Sequence, residues 1–208
     1  MNIKSAIIDG ASILKRKFIS SADLDSEILM AQAIKKKREF LILNSSFTIN
    51  KKDLRIFYEL IEKRSTRVPI AYITNKKSFW NSEFFVTKDS LIPRPDTELI
   101  IENVLKFTKN KESLRILDIG IGSGCILLSI LKEKKNFYGT GIDISKKCLK
   151  ISKINANNLK VDQRLKLIKT DVDKFISSKY DLIVSNPPYI IKKKLKYLDR
   201  DVVKYEPT

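Results

Sequence analysis

Near the end of the chain, VSNPPYI (residues 184–190) sets a carboxamide, two prolines and a phenol directly after a short apolar run. Pro187 and Pro188 cannot continue a helix or an inner strand, because each fixes its own φ and has no N–H. What they leave is a stiff corner with two acceptors, the side-chain oxygen of Asn186 and the carbonyl of Pro187. Both can accept from one NH2 group, which fixes the rotation of that group and favours its pyramidalisation as positive charge develops. Tyr189 adds a flat face for a planar partner. The chemistry suited to this corner is attack by an amide or exocyclic amine nitrogen, whose delocalised lone pair needs placement rather than prior deprotonation.

A second constellation lies upstream, in LDIGIGSG (residues 117–124). Gly120, Gly122 and Gly124, with Ile121 and Ser123 between them, let the backbone turn tightly after a strand and approach a ligand closely. Asp118 precedes the first glycine by two residues. Asp143 ends the next apolar run, 19 residues beyond Gly124, where a carboxylate can accept both hydroxyls of a ribose. Together these residues indicate an adenosine-containing cofactor. The spacing is G-x-G-x-G rather than the dinucleotide G-x-G-x-x-G, and no Gly-Lys-Ser/Thr follows, so a pyrophosphate or P-loop reading is disfavoured.

Composition narrows the chemistry further. The 208 residues contain no histidine, which excludes Ser–His and Cys–His nucleophiles and histidine-ligated metals. The two cysteines, Cys125 and Cys148, make no disulfide framework, so a reducing cytosol is expected, and no metal site. No signal peptide or membrane span is apparent. The formal charge of +17 is spread along the chain with abundant Lys, Ile and Asn, which reads as background composition. Such a field still favours encounter with an acidic or ribosomal partner.

The elements that must position these residues change character once. Residues 1–66 read as helices: Ile3, Ile7, Leu14 and Phe18 share one face, and Leu24, Ile28, Leu29 and Ile34 another, opened by Ser21 or Asp23. Leu54, Phe57, Tyr58 and Ile61 share a third, with Asn50 as cap. Residues 67–92 read as a β-hairpin linker, AYIT and SEFFVT pairing across NKKSFWN, with Asn75 and Asn81 able to take positive φ. Then LIPRPDTE leads into a helix capped by Asp96 and burying Leu99, Ile100, Val104 and Phe107. Residues 114–186 alternate strand and helix: strands at 114–119, 137–142, 165–169 and 180–185, helices at 125–134 and 145–157. That alternation implies an α/β, doubly wound, mostly parallel Rossmann-like sheet over 93–208. The Asn186 corner then faces the glycine turn if the strand order reverses between the first and fourth of these strands.

The glycine turn resembles motif I of class I S-adenosylmethionine-dependent methyltransferases, and NPPY resembles motif IV of amino-group methyltransferases acting on adenine N6, guanine N2 or glutamine N5. The run VPIAYIT…FW…FFV…LIPRPDTE, then LDIGIGSG, GIDIS and VSNPPYI, resembles the HemK/PrmC family over essentially the whole chain. The resemblance implies a protein-(glutamine-N5) methyltransferase of class-1 peptide chain release factors, cytoplasmic and monomeric, using S-adenosyl-L-methionine. It also implies that residues 1–66 recognise the substrate. Carried over by position, Gly120, Ile121, Gly122, Ser123 and Gly124 line the cofactor, Asp143 holds its ribose and Val172 its adenine. Asn186, which also borders the cofactor, joins Pro187, Pro188 and Tyr189 to hold the target amide. Arg94 and Glu98 fall near the site without assigned roles.

The resemblance leaves open a nucleic-acid amino methyltransferase, a methyltransferase of ribosomal-protein glutamine, and a non-catalytic remnant. The last arises because the family continues past VVKYEPT with further strands. On that reading the chain is C-terminally truncated, 181–185 is an edge strand, and cofactor binding is weak.

Overall fold

The computed structural model describes residues 1–176, 179–187, 205 and 206. Two compact units meet in sequence between Thr74 and Asn75, each with its own apolar core.

The first unit is helical: α1 (Ile3–Arg16), α2 (Ala22–Ala33), α3 (Arg38–Leu43), α4 (Lys51–Ser65) and α5 (Ile70–Thr74). Asn50 caps α4 as expected, its Oδ1 accepting from the Asp53 N–H at 2.8 Å. Asn2 does the same for α1. Ser21 stands at the start of α2 but makes no cap bond; its hydroxyl donates to Asp25 at 2.8 Å instead. Asp25 in turn forms a buried ion pair with Arg64 of α4 at 2.7 Å. Gly10 lets α1 approach α4, since a Cβ there would stand 2.5 Å from the Phe57 ring. Ile3, Leu14, Leu29, Phe57 and Ile61 fill the core, whereas Phe18 and Leu24, expected on buried faces, are exposed. Phe18 lies beyond the end of α1 in the left-handed region (φ 56°), where helical periodicity no longer applies.

The second unit opens with a hairpin, β1 (Lys76–Phe79) and β2 (Ser82–Phe85), antiparallel with Phe79 opposite Ser82. Two expectations fail here. AYIT is the last helix of the first unit rather than a strand. The positive-φ residues are Asn75 and Trp80, not Asn81. Trp80 is held in this uncommon conformation (φ 51°) by its N–H, which donates to Glu98 at 2.7 Å, and by its indole, which donates to Glu133 at 2.8 Å. Phe79 and Phe84 enter the core of this unit.

A 3-10 turn, Pro95–Thr97, then leads into α6 (Glu98–Phe107). Asp96 does not cap α6; it lies inside the preceding turn, and Thr97 occupies the cap position. The buried stripe is Thr97, Ile101, Val104 and Thr108, while Leu99 and Phe107 are exposed. In ELIIENVLKF apolar residues occupy several faces, so side-chain type alone misplaces the stripe by about one residue.

The sheet follows: β3 (Arg115–Ile119), α7 (Cys125–Glu133), β4 (Tyr138–Asp143), α8 (Lys146–Asn158), β5 (Leu165–Lys169) and β6 (Leu182–Ser185). Its order among the described residues is β5-β4-β3-β6, with every pairing parallel. The chain therefore steps outward from β3 to β5 and then crosses back to the other side of β3. Leu127, Leu128, Ile130 and Leu131 of α7 pack with Ile116, Phe137 and Val184.

Candidate active site

The crossing back places the end of β6 beside the end of β3, with Ser185 opposite Ile119. The Ser185 hydroxyl donates to the Ile119 carbonyl at 2.8 Å, which ties the two strand ends together where both leave the sheet. The next residues are Asn186 on one side and Gly120 on the other. The reversal that the sequence reading required is present, and it brings the carboxamide corner and the glycine turn to one crevice.

Asn186 is half-buried, and its Nδ2 donates to the Thr97 hydroxyl oxygen at 3.0 Å. Pro187 is exposed. Pro188 and Tyr189 lie outside the described residues.

Gly120, Gly122 and Gly124 all have positive φ. At Gly120 (φ 74°) a Cβ would meet no protein atom within 4 Å, so the turn borders open space there. At Gly124 (φ 82°) a Cβ would press to 2.7 Å from Leu128, so this glycine seats α7 against the loop. Ile121 is buried, and its side chain fills the place a Cβ on Gly141 would take. It anchors the loop to β4 rather than presenting its side chain to a ligand. Ser123 is likewise buried.

Asp143 stands at the end of β4 with each oxygen already oriented: one accepts from the Gly122 N–H at 3.0 Å, the other from the Ser145 N–H at 2.8 Å. A carboxylate oxygen has two acceptor directions, so both can still take a hydroxyl. Val172, half exposed, opens the 3-10 turn after β5, two residues past Thr170, whose N–H donates to the Asp143 carbonyl at 3.1 Å. The structure adds Ile144, 70% exposed directly after Asp143. An apolar residue left uncovered beside a strand-end acid is the signal that would have found it.

Asp118 is buried with both carboxylate oxygens unpaired. Burial pushes its carboxyl up to about 7, and the Asp143 carboxylate adds to the rise. An orphaned buried carboxylate beneath a glycine turn fits a ligand that brings a cationic group, directly or through water. The open space at Gly120, the two acceptors of Asp143 and the apolar Ile144 and Val172 fit a ribose and a base. The residues present therefore fit S-adenosylmethionine, and nothing in the loop is built to grip a phosphate.

Three further side chains hold the site in place. Ser152 donates to the Gly122 carbonyl at 2.7 Å. Asn155 donates to the Ser123 carbonyl at 2.8 Å and also pairs with the backbone of Phe85. Both residues project from α8 and are buried. The Thr97 hydroxyl oxygen accepts from Asn186. Polar residues at helical spacing in ISKINANN read as a solvated face, which is why sequence reasoning passed over them. Arg94 and Glu98 gain partners: Arg94 pairs with the buried Glu206 at 2.6 Å, and Glu98 holds the hairpin turn at Trp80. Among the described residues no group of three histidine, cysteine, aspartate or glutamate side chains is placed to hold a metal.

A parallel sheet with this order, a glycine turn after its central strand and an acid ending the next define a methyltransferase of the Rossmann-like class. Residues 95–203 match the methyltransferase small domain, and residues 5–74 match the PrmC N-terminal domain. The release factor glutamine methyltransferase of Clostridium acetobutylicum is 39% identical over 100% of this chain and 74% of its own. That of Buchnera aphidicola from Acyrthosiphon pisum is 37% identical over 100% of this chain and 73% of its own. That of Leptospira interrogans is 40% identical over 93% and 69% respectively. A methyltransferase from Geobacter sulfurreducens, solved with S-adenosyl-L-homocysteine, aligns over 44% of this chain and 36% of that one at 26% identity and a TM-score of 0.38. The chain belongs to the release factor glutamine methyltransferase family.

Proposed function

We propose that this chain transfers a methyl group from S-adenosylmethionine to the side-chain amide nitrogen of the glutamine in the Gly-Gly-Gln motif of class-1 peptide chain release factors. When bound, the cofactor supplies an electrophilic methyl group on a sulfonium. The turn from Gly120 to Gly124 would hold it, with Asp143 accepting its ribose hydroxyls and Ile144 and Val172 lining its base. The Asn186 oxygen and the Pro187 carbonyl accept from the two N–H bonds of the target amide. They hold its plane in one rotation and stabilise positive charge as the nitrogen lone pair is drawn out of conjugation. An amide nitrogen alkylated in this way is strongly acidic and yields its proton to water, so the absence of histidine costs nothing. By residue type and position we assign Pro188 and Tyr189 to binding the target amide, and the helical first unit to recognising the protein substrate. A single copy of the chain acts in the cytosol, without direct contact with nucleic acid.

The observation that carries the proposal is the juxtaposition of Asn186 and Gly120 at the ends of two paired strands, β6 and β3. The test is transfer of labelled methyl groups to purified release factor or to rRNA. Label is expected in the release factor and lost when the Gly-Gly-Gln glutamine is replaced. Asn186→Ala is expected to abolish transfer while cofactor affinity stays within about threefold. Label in rRNA alone, or full turnover by Asn186→Ala, would overturn the reading.

A further inference from the structure

An asparagine carboxamide is nearly symmetric in shape and opposite in chemistry at its two ends, so a site that needs its oxygen must prevent the amide from turning over. We infer that Thr97 is the positioning residue that aims this carboxamide: it holds the Nδ2 end at its hydroxyl, so that Oδ1 faces the substrate, whose NH2 can use only an acceptor there. The inference rests on the proposed role of Asn186 and adds a residue to it.

The geometry supports the assignment. Thr97 is 7% exposed, so its hydroxyl oxygen meets little competing water and the 3.0 Å bond from Asn186 occupies it. Its own position is determined twice, by an N–H bond to the Arg94 carbonyl at 3.1 Å and by its place at the head of the buried stripe of α6. The neighbouring Glu98 is pinned to the Trp80 N–H. A threonine held this firmly fixes the line along which the carboxamide lies, and the substrate NH2, which can only donate, selects Oδ1 at the far end. Among the described residues no donor engages Asn186 Oδ1. Reversed, the carboxamide would aim an N–H at the substrate NH2, two donors with no acceptor between them, and the target nitrogen would lose its alignment. The same bond explains why IPRPDTE and NPPY, far apart in sequence, function as one site.

Three substitutions test this in the full chain. Thr97→Val removes the acceptor at nearly constant volume, Thr97→Ser keeps it, and Thr97→Ala serves if the valine variant does not fold. Removing one partner of a charge-developing hydrogen-bond pair is expected to lower kcat by about 10- to 100-fold, with KM for release factor and cofactor affinity changed by less than about threefold. Thr97→Ser stays within about threefold of the parent. A second readout needs no turnover. The side-chain 15N–1H2 signals of Asn186, assigned by their loss in Asn186→Asp, are expected to be dispersed and slowly exchanging in the parent and in Thr97→Ser. In Thr97→Val they move to the shifts and fast solvent exchange of an exposed asparagine amide. Unchanged Asn186 signals in Thr97→Val, or serine and valine variants equally impaired, would overturn the assignment. Full turnover by Asn186→Ala would instead overturn the role of Asn186 itself, so the two failures are separable.

Discussion

The carboxamide of Asn155 closes on both backbone groups of Phe85: its Oδ1 accepts from the Phe85 N–H at 2.7 Å, and its Nδ2 donates to the Phe85 carbonyl at 2.9 Å. Asn155 thus pairs with the outer edge of the hairpin as another strand would, and its remaining N–H reaches the Ser123 carbonyl in the glycine turn. One fully buried side chain therefore connects hairpin, helix α8 and cofactor loop.

Asn155→Leu should be among the more damaging substitutions in the second unit. It leaves three backbone groups without their partner in a buried setting, each worth about 1–3 kcal/mol when unpaired. We expect a loss of about 3 kcal/mol or more in urea denaturation and weaker S-adenosylmethionine binding by calorimetry. A loss below about 1 kcal/mol would show that these groups find other partners.

Asp118 predicts a pH dependence with a definite sign. Its carboxyl titrates near 3.8 in an unfolded chain and near 7 in the fold. Protonated Asp118 therefore stabilises the fold fully below about pH 4, and that contribution is lost progressively as pH rises to about 7. By the usual conversion of 1.36 kcal/mol per unit, the span is at most about 4 kcal/mol. Asp118→Asn should remove this slope, so the stability difference between variant and parent shifts in favour of the variant from pH 4 to pH 8. Denaturation curves at several pH values check it, and a difference independent of pH would refute it.

Gly120→Ala separates backbone strain from lost space. At φ 74° a side chain is strained by about 1–2 kcal/mol, yet the added Cβ meets no protein atom within 4 Å. A fall of a few degrees in Tm should accompany a loss of S-adenosylmethionine affinity of at least about tenfold. That disproportion would not appear if the open space beside Gly120 were not the ligand's.

In the first unit, Arg64→Met strands the buried Asp25 carboxylate and should cost about 3–5 kcal/mol. Adding Asp25→Asn should recover part of that cost in thermal melts. Because Arg64 lies in the other compact unit, cofactor affinity should stay within about twofold.

Much of this was legible in the residues. Alternating apolar runs and helices gave the sheet, since a buried parallel strand such as ILDI admits few other readings. The positive φ of Gly120, Gly122 and Gly124 and the place of Asp143 at a strand end are legible because both leave marks in residue type. What escaped detection depended on phase and on distance along the chain. The buried stripe of α6 starts from Thr97, which no apolar count includes, so Leu99 and Phe107 were placed inside. AYIT has strand-forming residues but is helical, packed as the closing turn of the first unit. Ser152, Asn155 and the Thr97–Asn186 bond, which spans 89 positions, become visible only when the fold brings them together.

The strand order also sets a sequence of assembly. β3 pairs with β4 and β4 with β5 through segments adjacent in the chain, whereas the tie from Ser185 to Ile119 spans 66 positions. Loop-closure entropy makes that distant pairing the slower one. As the polypeptide emerges from synthesis, the glycine turn and Asp143 can form before the Asn186 corner exists. The carboxamide of Asn186 therefore reaches the glycine turn only once that distant pairing has closed.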